Sequence, residues 1–107
     1  MTEQDEYARK LDDSVFELDN WLIALRARDA VWEQKEGMQH MHQRVKVTQY
    51  WVNVAFFMLS SGCEKDGTVP FDLKERIDDV NTIVHTLIRE LKKLDVERFL
   101  LPHTSEF

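Results

Sequence analysis

Seven apolar residues in the last third of the chain constrain its fold most. Leu73, Ile77, Val80, Val84, Leu87, Leu91 and Leu94 follow one another in steps of 4, 3, 4, 3, 4 and 3. That rhythm keeps one stripe of a 3.6-residue helix apolar over three heptads. Ile83 and Ile88 flank the stripe and widen it beyond a two-stranded zipper, toward the broader face used in a bundle. Asp72 with Glu75 matches a capping box at the start. Acids crowd the first turns and Arg89, Lys92, Lys93 and Arg98 the last, as the helix dipole favours.

A second seam runs through Leu11, Val15, Leu18, Leu22 and Leu25, with Thr2 available as its cap. Only three glycines and two prolines punctuate the 107 residues, and none falls before Gly37. The pair Asp66-Gly67 and Pro70 mark one clear loop. The spacing therefore predicts an all-α chain, a single helical domain of three main helices at about 3–28, 30–60 and 72–100. The loop spans 60–71, a C-terminal tail covers 102–107, and a short fourth helix stays open as an alternative. The junction of the first two helices falls between Arg28 and Gly37.

Apolar residues make up 43 % of the chain, more than three slender helices need for one core. Between Tyr50 and Met58 the middle helix is apolar nearly all round, which suits a helix covered by further structure or a partner. Phe16 and Ile23 stand off the first seam, and Trp21 lies on its other flank. Together with Trp32, Tyr50, Trp51 and Phe57 they form the candidate interface set, in which the aromatic residues are of the types enriched at protein interfaces. The bundle is thus expected to be completed by oligomerisation, as a dimer, and to bind a protein partner.

The net charge of −6 disfavours a general binder of nucleic-acid backbone. Charge is uneven: the acids Asp5, Glu6, Asp12, Asp13, Glu17 and Asp19 crowd the first helix. Between Trp21 and Gly62, five basic residues face three acidic ones. Arg44 and Lys46 beside Tyr50 and Trp51 make a small basic-aromatic patch, and the acidic helix could imitate DNA phosphate; a nucleic-acid-related role is one alternative.

No motif for a catalytic nucleophile, phosphate loop or cofactor is present, so no catalytic residue and no cofactor are assigned. His40 and His42 point to opposite sides of a helix, and Cys63 has no base beside it in sequence. Glu33 with Glu36, and Glu75 with Asp78, each share a helix face, and four such carboxylates could hold Mg²⁺. These pairs resemble the Glu-x-x-Glu and Glu-x-x-Asp pairs of the all-α nucleoside triphosphate pyrophosphohydrolases, the MazG-like group. That likeness implies Mg²⁺-dependent pyrophosphohydrolysis as the other alternative. Here an extra apolar helix separates the pairs, and the denser Glu cluster of that group is missing.

The first residues lack the basic start and apolar run of a secretory signal. The stretch Tyr50 to Leu59 would span only ~15 Å as a helix, half a bilayer core. A lone Cys fits a reducing compartment. The expectation is a soluble cytoplasmic interaction module, an adaptor, assembly subunit or small inhibitor, with no membrane contact.

Overall fold

The computed structural model describes residues 1–94, and these contain three α-helices and no strand. Helix α1 spans Glu3–Arg28, α2 Gln39–Gly62 and α3 Phe71–Leu94. The predicted end of the third helix at 95–100 and the tail at 102–107 lie outside the described residues. A fourth α-helix is absent among the described residues; Trp32–Gln34 form a single 3-10 turn.

Helix α1 starts where a side chain can replace the missing backbone partners. Thr2 accepts from the backbone N–H of Asp5, and the Asp5 carboxylate accepts from the N–H of Thr2, closing a capping box. Asp29 ends the helix by donating its N–H to Leu25. Its side chain then accepts from the N–H of Val31, a local turn that diverts the chain. Gly37 follows at φ +85°, in the left-handed region that a continuing helix cannot use. The second helix therefore starts at Gln39 rather than near residue 30. Helix α3 starts at Phe71, with the Pro70 carbonyl accepting from Lys74, so Asp72 lies in its first turn rather than at its cap.

Side-chain contacts fix the arrangement. Lys74 reaches Glu3, Asn81 meets Ser14, and Lys92 lies 3.8 Å from Glu17, so α3 runs parallel to α1. Arg44 near the start of α2 pairs with Glu90 near the end of α3, and Gln4 reaches the Leu59 carbonyl. Helix α2 is thus antiparallel to both. Inside lie Leu11, Leu18, Leu22 and Leu25 of α1, Val45, Val52, Ala55 and Leu59 of α2, and Leu73 through Leu91 of the α3 seam. One core position differs from the apolar seam. Val15 of the seam packs against the core but is only partly buried, while Ser14 beside it is buried and hydrogen-bonds Asn81, with His85 close by on α3.

The α2–α3 loop is strapped onto the start of α1. Gln4 donates to the Gly67 carbonyl, and Glu3 accepts from the N–H of Val69 while pairing with Lys74 at 2.6 Å. Gly67 has φ +88°, and a Cβ there would lie 2.5 Å from the Thr2 Cβ. Gly67→Ala should therefore cost roughly 1–3 kcal/mol, from αL strain and from displacing the α1 cap. Urea unfolding checks this; a cost below about 0.5 kcal/mol would contradict the strap.

The same strap sets an acid dependence. The Lys74 ammonium and then the Val69 N–H hold the Glu3 carboxyl below its ordinary value. A depressed carboxylate contributes its stability above the ordinary pKa and loses it as pH falls through the folded one. Asp5, Asp29 and Asp66 shift the same way through hydrogen bonds from Thr2, Lys35 and Thr68. Stability should fall with pH below roughly 5, and Glu3→Gln should flatten part of that fall. Melting temperatures of both proteins across that range provide the comparison, and parallel curves would contradict it.

Candidate interaction surface

The face of α2 that looks away from the core is unusual for a surface helix. The core takes Val45, Thr48, Val52, Ala55 and Leu59. An exposed helix normally presents polar residues opposite such a stripe. Here the opposite positions are Val47, Tyr50, Val54 and Phe57, bounded by Gln43 and Ser61. Their steps are 4, 3, 4, 3 and 4, so the outer face carries a heptad seam of its own. Tyr50 is 61 % exposed and Phe57 71 %.

Neighbouring side chains extend this face toward α3. The Tyr50 and Trp51 rings meet edge to face with centroids 5.5 Å apart, which orients both. Beside them a groove of about 230 Å³ runs between α2 and α3, its walls including Trp51, Val54, Met58, Val80 and Ile83. Arg76 and Asp79 stand at the same groove. Helix α2 contains no acidic residue. Of its two strong cations, Arg44 is engaged by Glu90 and Lys46 stands exposed beside the seam. The basic-aromatic patch read from sequence therefore has one of its two cations neutralised.

The other candidate residues fall elsewhere. Phe16 and Ile23 are 69 % and 63 % exposed on the outer side of α1, two turns apart. Trp21 is half-buried, with the Lys92 ammonium 5.6 Å from its ring centre. Trp32 corrects the candidate set: it is 0 % exposed and belongs to the core. The 3-10 turn rolls its ring inward, beneath the hinge between α1 and α2. Among the described residues its indole N–H meets no acceptor.

The four carboxylates considered for Mg²⁺ are not brought together. Glu33 pairs with Arg26 and with His42, both at 2.8 Å, at the end of α1. Glu75 and Asp78 sit in the first turns of α3, beside Lys74, which pairs with Glu3 at the other end of α1. Those ends are roughly 35 Å apart by helical rise. Glu36 lies in the connection after the 3-10 turn. Among the described residues, no three His, Cys, Asp or Glu side chains form a group able to hold a metal ion.

A polar cleft of about 520 Å³ between α1 and α3 includes Lys10, Asp13, Ser14, Glu17, Asn81 and His85. Ser14 donates to Asn81 at 2.8 Å and lies 3.4 Å from the His85 Nε2. Ser14, Asn81 and His85 thus join α1 to α3 through side-chain hydrogen bonding. The Cys63 thiol donates to the Leu59 carbonyl, and burial, then Glu3 and Glu64, push its pKa up. It is held as the weakly nucleophilic thiol.

No helix among the described residues is long and apolar enough to cross a membrane. No protein-family profile, curated protein or solved structure matches the chain.

Proposed function

We propose that this chain is a helical protein–protein interaction module, one domain that acts by presenting the outer face of α2. One observation carries the reading: a heptad-spaced apolar seam lies opposite the core on a helix whose inner face is already filled. Exposing Tyr50, Trp51 and Phe57 together to water is unfavourable unless another surface covers them. Large aromatic anchors on a rigid helix are also the side chains that concentrate binding energy. The acidic start of α1 would steer a basic region of a partner toward the bundle. A cytoplasmic setting suits the Cys63 thiol.

Pyrophosphohydrolysis and nucleic-acid contact draw less support: the carboxylate pairs are separated, and Arg44 is paired. The test compares two immobilised baits, the unaltered chain and a Phe57→Glu variant of equal helicity. Proteins retained by the first, untagged copies of the chain included, should be lost from the second. Equal retention by both baits would contradict the assignment of this face.

A further inference from the structure

We propose that the occupant of the α2 face is a second copy of this chain, with the two α2 helices packed antiparallel about a two-fold axis near Val52. The inference rests on the reading above and names its partner. Three observations carry it. The first is the seam itself. Steps of 3 and 4 are what a facing helix needs to seat knobs into holes, so the seam selects a helix rather than an irregular chain.

The second is the order of side chains within the seam. A two-fold contact is isologous, so residue i meets j while j meets i. In the antiparallel register Val47 faces Phe57 of the second copy, and Tyr50 faces Val54. Each layer then joins a small β-branched residue to a large aromatic one, as close packing requires. Gln43 meets Ser61 at both ends, closing the seam with groups able to hydrogen-bond each other. A parallel pair would stack Phe57 on Phe57 and Tyr50 on Tyr50, and leave thin Val–Val layers between them.

The third is charge. Lys46 borders the seam, and α2 has no carboxylate to answer it. In the antiparallel register Lys46 lies beside the last turn of the other α2, around Ser60, where helix carbonyls carry partial negative charge. The two Lys46 ammonium groups are kept apart. Trp51 and Met58 lie on the α3 side of the seam, next to the groove that also includes Ile83. They widen the contact beyond the helix ridge.

Sedimentation velocity on the full chain should show dimers, with Phe57→Glu weakening the dimer at least about 100-fold because it spoils two layers at once. Disulfide trapping then fixes direction. Val47→Cys and Phe57→Cys, each in a Cys63→Ser background, should cross-link when mixed. Val47→Cys alone should not, since its two copies lie roughly 15 Å apart along the axis. A disulfide from Val47→Cys alone would overturn the antiparallel register. Trapping in neither case would overturn the contact.

A charge pair guards against misfolded variants. Val47→Lys and Phe57→Glu should each be monomeric, and their mixture should form a heterodimer. Helical monomers that fail to combine would overturn the proposal. A monomeric unaltered chain at high micromolar concentration would also overturn it, while the bait comparison would still decide the wider reading.

Discussion

Replacing Trp32 with Ala is expected to lower the unfolding free energy by about 3–5 kcal/mol. The side chain is the largest of those wholly withdrawn from solvent, and it packs beneath the turn that connects α1 to α2. Truncation removes that apolar burial and leaves a cavity at the hinge. The adjoining network would also loosen: Asp29 pairs with Lys35 at 2.6 Å, and Glu33 bridges Arg26 and His42. Trp32→Phe should cost less than the Ala change, because it keeps most of the buried ring. Denaturant unfolding of the three proteins gives the comparison. A loss under about 1 kcal/mol for Trp32→Ala would mean that Trp32 is not a core residue.

The double change Tyr50→Ser with Phe57→Ser is expected to do the opposite. Both side chains are exposed and neither belongs to the core. The cost to the isolated fold should therefore stay within about 0.5 kcal/mol per site. Association should weaken by at least about 100-fold, because two aromatic anchors of one seam are lost together. Thermal unfolding at low concentration and light scattering at high concentration separate the two effects. Loss of helicity with unchanged association would contradict the assignment of both residues. Together with the Trp32 result, the pair distinguishes aromatic residues that hold the chain together from those that hold it to something else.

That distinction was only partly legible in the amino-acid sequence. Regular periodicity reports a helix and the direction of its core, so the α3 seam and most of the α1 seam were readable. Thr2 was readable as a cap because its chemistry is local. Trp32 was not readable as core, because a 3-10 turn has no long period and its inward roll depends on the Asp29 turn and on Gly37. Ser14 was hidden for a related reason: its burial depends on Asn81 and His85, which lie far along the chain. The outer seam of α2 was obscured by the apolar residues around it. Only when Val45, Thr48, Val52, Ala55 and Leu59 are seen turned inward do Val47, Tyr50, Val54 and Phe57 separate as a second stripe. The carboxylate pairs illustrate the converse error. Glu75 and Asp78 do share a face of α3, but Glu36 lies outside any helix, and the chain's path carries Glu33 and Glu75 to opposite ends of α1.

Hydroxyl-radical footprinting of the unaltered chain, read residue by residue by mass spectrometry at low and high protein concentration, tests the central claim most directly. The α2 surface should become protected as concentration rises, with oxidation falling at Tyr50, Trp51 and Phe57. Phe16 and Ile23, on the outer side of α1, should stay as reactive as before. Unchanged reactivity along α2, or protection confined to α1, would contradict the account.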